Sequence, residues 1–318
     1  MKLFKPEAFQ GNFKKKKYFE GWYFKYVSGD RKHVFSFIPG ISLNENDNHA
    51  FIQFIDGLSG QTAYIRYPLS AFNYNPDKLE LWIGDSWFSE DGIDLNIKNP
   101  EIRINGEIDY SDVIKYPSQR TSPGIMGWYS FVPFMECNHG IGSVMHQLSG
   151  NLRLNGKPFD FTNGTGYIEK DWGTSFPESW IWLHCNTFEE PDCSFTFSVA
   201  KIPWLGSFFI GHICFLYLKG QFYLFATYNR SKITNLTFSE KTLIIEMNNK
   251  NHVLKVKAIQ KNSGHLKAPA TGKMDRIIKE SIDSEIEIAL SDRKENTLFT
   301  TKGTHAGMEL IDKILTYF

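Results

Sequence analysis

Apolar and polar positions alternate along this chain in many short runs of period two, with little of the 3.6-residue rhythm of helices. Gly21–Val27, His33–Ile38, Ala50–Ile55, Ala63–Tyr67, Leu79–Ile83, Ile93–Ile97 and Glu101–Ile104 are such runs. Gly150–Leu154, Trp180–Cys185, Ser194–Val199, Gln221–Tyr228, Leu243–Met247, His252–Ala258 and Ser284–Leu290 continue the pattern. Runs of this kind, rich in β-branched and aromatic residues, predict strands. Turn residues separate them at Ser28-Gly29-Asp30, Asn44–Asn48, Asn73–Asp77, Asn155-Gly156 and Asn248–Asn251. Asn155-Gly156 predicts a two-residue hairpin, because both residues tolerate the positive φ that such a turn requires. Helix is predicted only at Met274–Ser281 and at Met308–Phe318, where Leu310, Ile311, Ile314 and Leu315 recur at helical spacing. The whole predicts an all-β, antiparallel barrel or sandwich architecture with few short helices. Trp-rich strands open two similar passes, at Gly21-Trp22-Tyr23-Phe24 and Trp180-Ile181-Trp182, which suggests two barrel-like halves meeting near residue 170.

Composition sharpens this picture. Aromatic residues make up 15% of the 318 residues, with 27 Phe, 14 Tyr and 8 Trp, a bias that suits sheets and also supplies π faces for an apolar ligand. Ordinary core packing accounts for most of these rings. Thirty-five basic and 35 acidic residues balance, which argues against nucleic acid as a partner. Lys14–Lys17 is a short basic run, read as a solvated edge or a weak membrane-surface contact. The four cysteines, Cys137, Cys185, Cys193 and Cys214, have no metal-ligand spacing and read as buried free thiols of a reducing compartment. With no apolar h-region in Met1–Phe13 and no long apolar span, the expected location is the cytoplasm.

Phosphate-binding loops, a G-x-S-x-G elbow and H-E-x-x-H are all absent, and the nine histidines show no zinc spacing, so neither a metal nor a cofactor is expected. Three segments carry polar groups inside apolar sequence. In Tyr18–Lys25, alternation puts Glu20, Trp22 and Phe24 on one face, where the carboxylate is either at a barrel mouth or buried with a partner. In Met135–Gly140, Glu136, Asn138 and His139 either satisfy one another or meet a ligand. The third segment runs from Gly166 through Glu169-Lys170-Asp171-Trp172 to Asn186. There Trp180, Trp182, His184 and Asn186 share one face and Ile181, Leu183 and Cys185 the other; the aliphatic face belongs to a core, and the polar aromatic face reads as a pocket wall.

These residues carry a resemblance. Glu20-Gly21-Trp22-Tyr23-Phe24-Lys25, Glu136-Cys137-Asn138-His139, Gly166-Tyr167-x-Glu169-Lys170-Asp171-Trp172-Gly173-x-x-Phe176-Pro177 and Trp180-x-Trp182-x-x-x-Asn186 resemble the tocopherol cyclase family, in particular its bacterial tocopherol cyclase-like branch. Phe37–Ser42, His49–Gln53 and Phe225–Tyr228 extend the likeness over nearly the whole chain. Asp171 and His184 depart from the plant pattern, where Asn and Gln are expected. The resemblance implies two lipocalin-like (calycin) β domains, here residues 1–168 and 169–318. It also implies an isomerase, or intramolecular lyase, that closes a chroman-type ring on a prenylated or phenolic substrate.

Such closure needs a proton for an alkene, a shielded tertiary cation and a nearby phenol oxygen. Glu169 or Asp171 is the expected acid, Glu136 the reserve, and His184 and Asn186 the groups that orient the phenol. Trp172, Trp180 and Trp182 are expected to shield the cation, with Trp22, Asn138, His139 and Gln53 as further substrate contacts. A carrier that binds a hydrophobic ligand unchanged, or a hydratase adding water to the alkene, would use the same aromatic pocket.

Overall fold

The computed structural model describes residues 2–133 and 135–318. The strands of the first sheet begin with β1 (Lys17–Val27), β2 (Val34–Asn44), β3 (His49–Asp56) and β4 (Thr62–Pro68). Five strands follow: β5 (Phe72–Tyr74), β6 (Glu80–Ile83), β7 (Ser86–Ser89), β8 (Gly92–Lys98) and β9 (Arg103–Ile114). The sheet is completed by β10 (Cys137–Leu154), β11 (Lys157–Asp160) and β12 (Gly164–Gly173). Its order is β4-β3-β2-β1-β12-β10-β9-β8-β7-β6-β5, with β11 paired to β10.

The second sheet contains β13 (Trp180–Cys185), β14 (Cys193–Trp204), β15 (Ser207–Leu218), β16 (Gln221–Ala226) and β17 (Lys232–Ser239). It continues through β18 (Thr242–Asn248), β19 (His252–Ile259), β20 (Gly264–Ala270), β21 (Lys273–Asp292) and β22 (Thr297–Leu310). The order is β16-β15-β14-β13-β22-β21-β19-β18-β17, with β20 paired to β21. Every pairing with a defined register is antiparallel. Among the described residues no helix is long and apolar enough to cross a membrane.

Each sheet has its own core, built by alternation. Trp22, Phe24 and Tyr26 of β1 meet Phe35, Phe37 and Ile41 of β2 and Ala50, Ile52 and Phe54 of β3 in the first. Phe72, Leu81 and Ile83 from the far end of the order join the same cluster as Ala63 and Ile65 of β4. A Cβ on Gly84, after β6, would lie 2.8 Å from the Tyr67 ring of β4, so the sheet curls nearly closed around its rings. Each fully buried side chain of this size contributes roughly 1.5–3 kcal/mol. Ile181, Leu183 and Cys185 of β13 pack with Phe195, Phe197 and Val199 of β14 and Leu243, Ile245 and Met247 of β18 in the second core.

The Asn155-Gly156 hairpin forms as the sequence predicts. Leu154 pairs with Lys157, and Asn155 and Gly156 adopt φ of 51° and 85°. Met274–Ser281 is instead the opening of β21. Met274, Ile278, Glu280 and Ile282 point inward with period two, while Ile277 is 57% exposed; the adjacent Ile277-Ile278 pair is what imitates helical spacing. Met308–Leu310 completes β22, and only Asp312–Tyr317 coils, as a 3-10 turn that buries Ile314 in the second core.

Two compact units result. The first holds Met1–Asp56, Gln61–Phe176 and His265–Ile278; the second holds Gly57–Gly60, Pro177–Gly264 and Lys279–Phe318. The chain changes unit at Phe176/Pro177 rather than between residues 168 and 169, because β12 stays paired to β1 and β10 as far as Gly173. Residues 265–278 join the first unit through specific bonds. Ser42 Oγ donates to Gly272 O (3.0 Å), Gly272 N to Thr174 O (2.6 Å) and Phe176 N to Pro269 O (3.1 Å).

Candidate active site

Strand β12 carries the charged triplet, and alternation divides it. Ile168 and Trp172 pack on the first core, so Lys170 between them points to the same interior side. Tyr167, Glu169 and Asp171 point to the opposite face.

Inside, Lys170 meets Glu20. Pairing of β1 with β12 sets Trp22 against Lys170 and Glu20 against Trp172. Lys170 Nζ lies 2.5 Å from Glu20 Oε1, with both side chains fully buried. The ammonium also donates to Pro6 O (2.9 Å) and Ala8 O (2.5 Å), and sits 4.7 and 4.8 Å from the Trp22 and Trp172 ring centroids. Glu20 in turn accepts from Gln10 N (2.7 Å), Gly11 N (2.9 Å) and Tyr18 Oη (2.5 Å). Burial pulls the Lys170 pKa down to about 8, against the opposing charge of Glu20. All three ammonium donors have acceptors, so this pair straps the N-terminal segment to the barrel. Of the two places expected for Glu20, a barrel mouth or a buried site with a partner, the structure has the second, with Lys170 as the partner.

On the other face a different group forms. Pairing of β10 with β12 sets His139 against Asp171, and pairing with β1 sets Gly21 against Asp171 and Tyr23 against Glu169. His139 Nδ1 is 2.8 Å from Asp171 Oδ1, and His139 Nε2 is 3.7 Å from Glu169 Oε2. Tyr167 Oη donates to Glu169 Oε2 at 2.6 Å. Burial lowers the His139 pKa, but the charges of Asp171 and Glu169 and the Asp171 hydrogen bond outweigh it and raise it to about 9. The imidazole therefore carries its second proton at neutral pH. With Nδ1–H held by Asp171, the Nε2–H is turned toward Glu169. Ligand atoms of His139, Glu169 and Asp171 all lie within 4.8 Å of one another, a spacing that also suits a divalent cation. Without a cation, the protonated His139 offers its two N–H donors to the carboxylates of Asp171 and Glu169.

The remaining expected site residues take up distinct places. Glu136 precedes β10; its carbonyl accepts from Thr174 N (2.8 Å), and burial raises the pKa of its carboxyl group. Asn138 Nδ2 donates to Trp172 O at 3.4 Å. Gln53 is tied at both ends of its amide to the backbone of Lys267, as donor (2.9 Å) and acceptor (2.8 Å), which makes it a brace of the first unit. Trp22 and Trp172 lie against Lys170 on the interior face, and Trp22 Nε1 donates to Glu7 O at 2.7 Å. They are thus on the side of the sheet opposite Glu169 and Asp171. Trp180, Trp182, His184 and Asn186 belong to the second unit and are all buried, with Ile181, Leu183 and Cys185 behind them in its core. Trp180 Nε1 donates to Glu309 Oε2 (2.7 Å), and the Trp182 and His184 rings stack at 6.2 Å and 24°. Sequence reasoning did not single out Tyr167 or Lys170. The i, i+2 spacing of Tyr167 and Glu169 was a signal for the first, whereas Lys170 needed the β1–β12 register.

Comparison with known proteins bears on this arrangement. A family model described as tocopherol cyclase-like matches residues 99–311. A probable chloroplastic tocopherol cyclase of Oryza sativa subsp. japonica is 28% identical over 149 residues, covering 45% of this chain and 31% of that protein. The chain thus matches about a third of the length of the curated relatives. Among solved structures, CghA with Sch210972 superposes with a TM-score of 0.57 at 8% identity, over 92% of this chain and 88% of that one. Kievitone hydratase from Nectria haematococca superposes with a TM-score of 0.50 at 8% identity, over 96% and 92%. At these identities the structural likeness is one of fold.

Proposed function

This chain belongs to the tocopherol cyclase-like family, and on that premise we propose that it closes an oxygen ring by acid catalysis on a prenylated phenol. The observation that carries the reading is the series Asp171–His139–Glu169–Tyr167 on one sheet face, with the His139 ring set between the two carboxylates.

The series suits proton delivery to an alkene. An apolar ligand laid over it removes water, and in that low-dielectric setting the neutral pair of imidazole and carboxylic acid gains over the ion pair. The Nε2 proton of His139 then passes to Glu169, giving a carboxylic acid against the alkene. Glu169 protonates one alkene carbon, and the positive charge falls on the more substituted carbon. The phenol oxygen attacks that carbon and loses its proton to Glu169, from which His139 recovers it. Atoms balance: the product is an isomer of the substrate. Asp171 keeps the imidazole in the orientation that faces Glu169, and Tyr167 fixes the carboxyl rotamer.

Incubation of the purified protein with a prenylated hydroquinone, followed by mass spectrometry, tests the reading. The expected product has the substrate's mass and a new retention time, and Glu169→Gln abolishes it. A product heavier by one water marks a hydratase, and intact recovery of a tightly bound ligand marks a carrier; either overturns ring closure.

A further inference from the structure

Beside the acid cluster lies a glycine that the fold does not require, and the geometry points to Gly21 as the floor of a subsite for the flat phenolic ring of the substrate. The inference rests on the ring-closing reading for the identity of that ring, but the subsite itself is a matter of shape.

Gly21 sits in the interior of β1, where glycine weakens a strand and often marks the close approach of a ligand or another backbone. Its neighbour across the strand pair, Gly40, has a packing reason: a Cβ there would meet the Phe51 ring and the Glu20 carbonyl, each at 2.6 Å. Gly21 has none. A Cβ at Gly21 would find Ile38 Cγ2 at 3.6 Å and Phe51 Cζ and Pro39 O at 3.9 Å, all ordinary contacts, and its φ is not in the positive region. The side chain is missing although there is room for one.

What surrounds the gap fits an aromatic ring with an oxygen. Gly21 and Ile38 are both partly exposed, and Phe51 supplies an aromatic side. Across the strand pair from Gly21 is Asp171, and beyond it in the same row is His139. His139 Nε2 is buried and makes no hydrogen bond, its nearest ionic neighbour being Glu169 at 3.7 Å. A ring resting on Gly21 has an apolar edge toward Ile38 and Phe51 and an oxygen-bearing edge toward the acid cluster. That orientation places a phenol oxygen beside the proton relay, which is what closure on an adjacent alkene requires.

The test uses the full chain, with trimethylhydroquinone as a probe of the ring alone and its prenylated form as the reactive probe. Gly21→Ala and Gly21→Val refill the gap. Binding of trimethylhydroquinone, followed by titration calorimetry, should weaken about tenfold in Gly21→Ala and further in Gly21→Val, since an inserted methyl group overpacks a fitted site. Thermal unfolding should not fall in Gly21→Ala, and KM for the prenylated probe should rise more than kcat drops. Failure of the parent to bind the ring, or equal binding by Gly21→Val, overturns the subsite. Ring binding that Gly21→Val abolishes, in a parent that turns over no prenylated probe, supports the subsite and overturns the catalytic reading alone.

Discussion

The two sides of β12 hold two carboxylate–cation groups a single residue apart, and they are built to opposite ends. On the interior side Glu20 and Lys170 are fully buried, and besides their ion pair the hydrogen bonds of both run to the N-terminal segment, from Pro6 to Gly11, and to Tyr18. Nothing there is left to act on a ligand. On the other side His139 sits between two carboxylates, one in hydrogen bond and one at 3.7 Å, with half-buried Asp171 and Gly21 alongside. The same residue chemistry therefore makes a strap where every ammonium donor is matched, and on the other face a cluster in which one proton is held between two carboxylates, the group the ring-closing proposal uses as its relay.

Breaking the strap should have the largest effect. Lys170→Met leaves the Glu20 carboxylate buried without its counter-charge and is expected to cost about 3–5 kcal/mol in denaturant unfolding. The double variant Glu20→Gln/Lys170→Met should recover much of that loss. An undiminished stability in Lys170→Met would mean that the pair does not hold the N-terminal segment.

Next comes the relay. Glu169→Gln preserves an acceptor for Tyr167 but removes the acid, so turnover should fall about a hundredfold or more, while stability changes by about 1 kcal/mol or less. Parallel losses of folding and activity would place Glu169 with Lys170 as a structural group.

The pH dependence separates the two sides further. His139 has a folded pKa of about 9, above its ordinary 6.5. Its contribution to stability is therefore fully present below about pH 6.5 and is lost as pH rises through about 9. Lys170, lowered from 10.5 to about 8, acts in the opposite sense, stability rising with pH between those values. Subtracting the pH profile of His139→Gln from that of the parent isolates the first effect, expected at roughly 1–3 kcal/mol. A flat difference between pH 6 and 9 would remove the charged imidazole from the account. The smallest effect belongs to Gly21→Ala, which should leave the unfolding free energy unchanged or raise it by under about 1 kcal/mol.

The sequence made the fold class and one face of each sheet legible because alternation is a local signal. Ile181, Leu183 and Cys185 lie in the second core, opposite Trp180, Trp182 and His184, as their spacing requires. Glu169 and Asp171 share a face for the same reason. Lys170 was grouped with them because three adjacent charges look like one cluster, and only the pairing of β1 with β12 shows that it turns inward to Glu20. His139 was visible as a polar residue in apolar sequence, but its bond to Asp171 depends on the β10–β12 register, a long-range fact. Met274–Ser281 misleads because Ile277, an exposed residue, stands beside the buried Ile278 and gives Met274, Ile277 and Ile278 the i, i+3, i+4 spacing of a helix.

In the proposed reaction Glu169, supplied with a proton by His139, protonates an alkene. Reaction of a prenylated hydroquinone in heavy water tests it most directly, because protonation from an exchangeable carboxyl leaves a label on carbon. The expected outcome is a cyclised product with one non-exchangeable deuterium on the former alkene carbon, absent when Glu169→Gln replaces the parent. A cyclised product without that deuterium, or one formed equally by Glu169→Gln, would contradict it.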